Sequence, residues 1–333
     1  MVVAVSMSDL HISCEYRQPP CCSRDKATLP GVSVKTGTSS FTLQVAKHYT
    51  TGLIFQGLKE PVISMIRALS LKAKESGQEL IVIINGDTFN LNPKTNPNFP
   101  ERETGFIPEL VDLVNGFVKN LAELDIPVLL NQGNSDVDSY DNLSESHTVM
   151  RKLNQPGIKV IENKPQWDLK FSEFEGNFCL KTDSVMIIGL NSLPINLDID
   201  EQKVYTIGNQ QFVRECLKDN LCPVIIYTHH PPFYVFSEKA MQELGMTLKY
   251  MRKQEWLIPI LEAHSKKRNV PIALIAGHLH TYFKQGNEDG LQQLCSPAAF
   301  STHEGQVSLG LISTSTNNGG IGGNITVDRL FLN

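Results

Sequence analysis

Short apolar runs rich in β-branched residues punctuate this chain, and each stops at polar or glycine positions. Val2–Met7, Leu80–Ile84, Val128–Leu130, Val224–Tyr227 and Ile272–Ile275 all have the length and composition of buried parallel strands. Helical spacing fills the intervals. Pro61 is read as opening a helix with Val62, Ile63, Ile66 and Leu69 on one face, closing near Gly77. Ile107–Leu124 carries Leu110, Val111, Val114, Phe117, Val118 and Leu121 at helical spacing and stops before Pro127. Further helices are expected at Gln210–Leu221 and about Met251–Lys267, and a hairpin at Phe178–Leu180 and Val185–Leu190. The tail, 291–333, alternates apolar and polar residues and predicts antiparallel strands.

Three stretches lack periodicity and are read as rim loops: 13–56, 91–106 and 138–176, the last with Trp167 and Phe171 packing over the core. Alternation of strands and helices predicts right-handed crossovers and a largely parallel α/β sheet, with the later strands forming a second sheet packed on the first. No repeat or linker interrupts the pattern, so residues 1–333 are expected to form a single domain.

Composition narrows the class. A hydrophobic content of 41% with 20% charged residues suits a full-sized globular core. The formal net charge of −5 leaves no basic footprint for nucleic acid, and nothing in the sequence fixes an oligomeric state. No apolar run reaches the ~18 residues of a transmembrane helix. The N-terminal strand lacks a basic region and a cleavage site, which makes a cytoplasmic location the expectation. Seven scattered cysteines agree with mostly free thiols in a reducing compartment, although Cys14, Cys21 and Cys22 could begin a zinc site or a disulfide.

The chemistry gathers at strand ends. Gly86 lets the chain turn tightly after Leu80–Ile84 and presents Asp87, whose two oxygens can join two metal ions. Asp9 and His11 follow the first strand, Asn134 the third, His229 and His230 the strand at 224–227, and His278 and His280 the strand at 272–275. Residues i and i+2 of an extended segment point the same way, so Asp9/His11 and His278/His280 can each aim two side chains into one pocket. Ligands of open α/β sheets bind beyond the carboxyl ends of strands. Mixed imidazole and carboxylate donors suit manganese, zinc or iron better than calcium or magnesium. Singly, each of these residues reads as a turn, a cap or a hydrogen-bonded rim histidine. Together they would be costly to bury without metals.

The ordered set Asp9-Leu10-His11, Gly86-Asp87, Gly133-Asn134-Ser135-Asp136, His229-His230 and Gly277-His278-Leu279-His280 resembles the calcineurin-like metallophosphoesterase family. The resemblance implies two packed mixed sheets flanked by helices, with two divalent metal ions between loops at one edge. It implies Asp9, His11 and His280 at one ion, Asn134, His229 and His278 at the other, and Asp87 bridging. It further implies hydrolysis of a phosphoester substrate by a metal-bridging hydroxide, which we read as phosphodiesterase-like. A phosphomonoesterase or protein phosphatase is the alternative, and a metal-binding scaffold of little activity a second one. A narrower likeness, to the acid sphingomyelinase and endopolyphosphatase branch, rests on Tyr16 and Cys21-Cys22-Ser23-Arg24.

Two positions depart from the family. Ser135 stands where a histidine usually assists the leaving group, and Asn90 stands where an acid usually orients that histidine. His230 is the first candidate to replace that help. His147 is the second, and is read as a surface-loop residue. Lys266-Lys267-Arg268 reads as a helix end whose cations suit the dipole. The glycine-rich 317–324 lacks the Lys-Ser/Thr of a phosphate loop, and Met241, Met246, Met251 and His303 read as packing or rim residues.

Overall fold

A computed structural model describes residues 1–10, 12–13, 32–36, 39–43, 50–89, 108–137, 143–172, 176–192, 199–232, 256–278, 283–286, 291–295, 300–301, 306–316 and 323–332. In chain order the strands are β1 (Val2–Met7), β2 (Ile12–Ser13), β3 (Val32–Thr36), β4 (Ser39–Leu43), β5 (Thr50–Thr51), β6 (Glu79–Asn85), β7 (Val128–Asn131), β8 (Asp168–Phe171) and β9 (Phe178–Lys181). They continue as β10 (Met186–Leu190), β11 (Val224–Thr228), β12 (Ile272–Ala276), β13 (Phe283–Gly286), β14 (Leu291–Cys295), β15 (Phe300–Ser301), β16 (Gln306–Thr316) and β17 (Gly323–Leu332). The helices are α1 (Gly52–Glu75), α2 (Pro108–Glu123), α3 (Leu143–Glu162), α4 (Ile199–Leu217) and α5 (Leu257–Arg268).

Two mixed sheets stack face to face. The first runs β15-β16-β1-β6-β7, with β17 on β16. The second runs β13-β14-β12-β11-β10-β9-β8. Neighbours β1, β6 and β7 are parallel, as are β10, β11, β12 and β14. Period-two alternation sorts their apolar side chains between layers. On β6, Val82 and Ile84 face α1 and α2, while Ile81 and Ile83 face the other sheet. On β11, Ile225 and Tyr227 meet them from the second sheet, while Val224 and Ile226 pack on α4 and α5. The result is helix, sheet, sheet, helix, with each buried aliphatic side chain worth roughly 1.5–3 kcal/mol. The expected two-sheet architecture is therefore present.

Several local expectations need correction. The segment 138–176 is not an irregular loop, because it holds α3 and β8. The buried face of α3 includes Ser146, Asn154 and Gly157 beside Met150, Leu153 and Ile161, so small and polar residues hide its helical period. Those residues dock α3 on the edge of β7. Asn154 offers its amide to Leu130 as a neighbouring strand would, accepting from the Leu130 N–H at 2.7 Å and donating to the Leu130 carbonyl at 3.2 Å. Trp167 packs in the core as expected, whereas Phe171 is exposed. His147 lies buried on α3, not on a surface loop.

Within 13–56, strands β2 to β5 and the first turn of α1 replace part of the expected loop. Helix α1 begins at Gly52, so Pro61 lies inside it and does not open it. Helix α4 starts at Ile199 and ends at Leu217, whereas Gln210–Leu221 was expected. Among the described side chains of its first half, the apolar Val204 and Ile207 are exposed, so that stretch shows no buried apolar stripe to read. In the tail, β14 is parallel to β12 in the second sheet, and β16 and β17 return to the first. Helix α5 ends in Lys266-Lys267-Arg268 as expected. Loop 91–106, Cys14, Cys21, Cys22, Tyr16, Met241, Met246, Met251, His303 and residues 317–322 lie outside the described residues. Among the described residues, Cys179, Cys216 and Cys222 are free thiols, and no helix is long and apolar enough to cross a membrane.

Candidate metal centre

Parallel strands from both sheets end at the same place, and their last residues form one buried cluster. Asp9, Asp87 and His278 carry positive φ values of 53°, 49° and 68°. Three non-glycine residues held in that sparse region within one cluster mark a backbone set by its surroundings. Gly86, at φ 80°, makes the turn that delivers Asp87, and a Cβ there would lie 2.5 Å from His229 Nδ1. Gly133 packs against the same carboxylate, so closely that a Cβ on it would collide with the Asp87 nitrogen and Oδ1.

Each carboxylate is held by main-chain donors. Asp9 accepts from the His278 N–H on both oxygens, at 2.9 and 3.1 Å, and lies 2.6 Å from Ser8 Oγ. Asp87 accepts from the Ser135 N–H at 2.7 Å and from the Ser135 hydroxyl at 3.1 Å. His229 Nε2 faces Asp87 Oδ2 at 3.2 Å and Asn134 Oδ1 at 3.1 Å, while its Nδ1 lies 3.2 Å from the Asn85 carbonyl. That carbonyl can only accept, so Nδ1 carries a proton and Nε2 points into the cluster. His230 Nδ1 lies 2.8 Å from Ser192 Oγ, which also accepts from the His230 N–H at 3.2 Å. The ring centroids of His229, His230 and His278 are 4.5–5.2 Å apart.

Burial and charge oppose each other here. Burial pushes the His229 imidazole down, but Asp87, with help from Asp9 and the Asn85 carbonyl, raises it to about 9. Burial lowers His230 well below the usual histidine range, and His278 and His229 lower it further. Asp136 is raised to about 8 by burial and then by the charge on Asp87, against the pull of two N–H groups. Those groups, from Phe89 and Gly133 at 2.8 Å each, let Asp136 fasten the loop after β6 to the loop after β7.

Donors overlap in two groups. Ligand atoms of Asp9, Asp87 and His229 lie within 4.8 Å of one another, and so do those of His229, His230 and His278. Carboxylates and imidazoles converging with preset orientation suit borderline divalent ions, so the residues present fit a metal centre. Asp87, Asn134, Asp9, His229, His230 and His278 are brought together, whereas His11 and His280 lie outside the described residues, as does Asn90.

A family model described as calcineurin-like phosphoesterase matches residues 7–282, which spans every strand end in the cluster. The chain belongs to the calcineurin-like phosphoesterase family. It is a metal-dependent phosphoester hydrolase, and the family works through a dinuclear divalent metal centre. A dimetal phosphatase from Danio rerio shares the fold at a TM-score of 0.52 and 10% identity, over 97% of this chain and 98% of that one. TT1561 of Thermus thermophilus aligns at TM-score 0.39 and 10% identity, covering 92% of each chain. A 5'-nucleotidase from Candida albicans aligns at 0.40 and 11%, over 93% of this chain and 47% of that one. No curated protein matches the chain.

In this calcineurin-like phosphoesterase the third motif is altered in a defined way. The Ser135 hydroxyl donates to Asp87, so the serine supports a carboxylate where the family usually places a histidine. Reading strand ends for ligand types also missed the amides beneath the cluster. Asn85 donates to the carbonyls of Thr228 and Ile275, each at 3.1 Å, and so ties the first sheet to two strands of the second. Asn131 donates to Asn85 Oδ1 at 3.0 Å. The signal was present, since both asparagines directly end apolar runs at equivalent places on neighbouring strands. Ser192 had no such signal.

Proposed function

We propose that the protein hydrolyses phosphodiesters at a pair of divalent ions, with Asp87 as their shared ligand. In this reading Asp9, His11 and His280 take one ion, and Asn134, His229 and His278 take the other. Manganese, zinc or iron match the donor set. The carrying observation is the position of Asp87 beside His229, in a cluster whose two donor groups share that histidine. Bound ions would supply the charge that activates water near neutral pH and neutralises phosphoryl oxygens.

The side chains do the rest. Asn85 fixes the His229 tautomer, and Ser135 and Gly133 hold Asp87 in place. With Ser192 Oγ as the donor to His230 Nδ1, the proton of neutral His230 would sit on Nε2, where it would serve as a hydrogen-bond donor for the leaving oxygen. Around the cluster the described residues supply carboxylates, amides and imidazoles, a setting that favours a singly charged diester over a dianionic monoester. Turnover of bis(4-nitrophenyl) phosphate is expected to exceed that of 4-nitrophenyl phosphate in the manganese-loaded enzyme. Faster turnover of the monoester would replace the diesterase reading with a phosphomonoesterase.

A further inference from the structure

Among the described residues, β8 is the edge strand of the second sheet. Ser172 N–H donates to the Asn177 carbonyl at 3.2 Å, which sets the alternation along the pair with β9. Residues 168, 170 and 172 therefore turn their main-chain groups toward β9, while Leu169 and Phe171 turn theirs away from it. On the outer face, Asp168 and Lys170 stand side by side, 3.1 Å apart and 57% and 70% exposed. Edge strands that resist pairing carry repeated like charges, usually lysines. Here the signs alternate about Leu169.

That alternation is self-complementary. Antiparallel pairing of two copies about Leu169 makes Leu169 its own hydrogen-bonded partner. It also sets each Asp168 opposite the second copy's Lys170, at the closely spaced positions where cross-strand side chains touch. Phe171 then faces Trp167 of the second copy. The flanking helix agrees. Val204 continues the stripe of Gly208, Gln211 and Glu215, which line a cavity of about 630 Å³ between α4 and β8. Val204 and Ile207 are 58% and 54% exposed, and Phe171 48%, three of the six large apolar side chains exposed among the described residues.

We propose that β8 is the seam of a symmetric dimer in which two second sheets continue through one another, with the α4 helices brought alongside. The occupant of the outer edge of β8 is a second copy of this chain.

Sedimentation equilibrium of the full-length protein tests this through its charges. The wild type is expected to dimerise. Asp168→Lys, which opposes lysine to lysine twice, should weaken dimerisation at least about tenfold, and Lys170→Asp should do the same. The double variant Asp168→Lys/Lys170→Asp restores opposite pairs and should recover the dimer. Circular dichroism and phosphoester turnover report whether each variant is folded. A wild type monomeric at about 100 µM would overturn the proposal. So would a dimer indifferent to both single changes, or a double variant no better than either of them.

Discussion

Ser135 shows how far a single substitution can redirect a site. Its hydroxyl and N–H both serve Asp87, so the position that usually helps the leaving group instead secures a carboxylate. General acid assistance is worth typically 10²–10⁴-fold, and a hydrogen bond from neutral His230 replaces it only in part, so the deficit should show in the substrate series. Hydrolysis of aryl phosphodiesters is expected to rise steeply with leaving-group acidity, and Ser135→His should flatten that slope. A flat series in the wild type would contradict the assignment. The strand-end side chains that the structure brings together, Asp9, Asp87, His229, His230 and His278, were legible because ligand-type residues recur where apolar runs end. Those that orient them were not. Asn85 and Asn131 end apolar runs, but what they bond to lies far along the chain or on another strand, and Ser192 carried no signal at all.

Helix α3 makes the same point with backbone. Its buried face is built from Ser146, Asn154 and Gly157 as much as from apolar residues, so a hydrophobic period reads it as loop. Gly157 follows Pro156 and sits against β7, where a Cβ would collide with the Val128 carbonyl oxygen and meet two further backbone atoms at 2.9 Å. Backbone on both sides leaves nothing flexible to give way. Gly157→Ala should therefore cost about 1–3 kcal/mol, even though alanine is the better helix former. Urea denaturation would measure it, and an unchanged midpoint would show that α3 can lift from β7. Strands with continuous β-branched runs were legible because burial on both faces allows little else. Helix α4 was half legible, since only its second half carries a buried stripe.

Across the molecule, the two sheets are joined by apolar contact and by the amides of Asn85 and Asn131 directly under the cluster, so the site is built on their junction. Stability should also carry a pH signature away from that junction. His264 on α5 is held below the usual histidine range by burial, then by Arg268 and Lys267. The fold thus favours its neutral form. Its contribution is complete above about 6.5, the unfolded value, and is lost as pH falls below that toward the depressed folded value. His264→Gln should flatten the melting temperature between about pH 7.5 and 5 relative to wild type, and an identical slope would show that the imidazole titrates freely.

In the proposed reading one carboxylate, that of Asp87, holds two ions together. Metal content per chain, measured by inductively coupled plasma mass spectrometry after manganese loading, tests it in wild type beside Asp87→Asn. Two ions per chain in the wild type, and one or none in the variant, is the predicted result. Two ions retained in both proteins would mean that Asp87 is not their shared ligand.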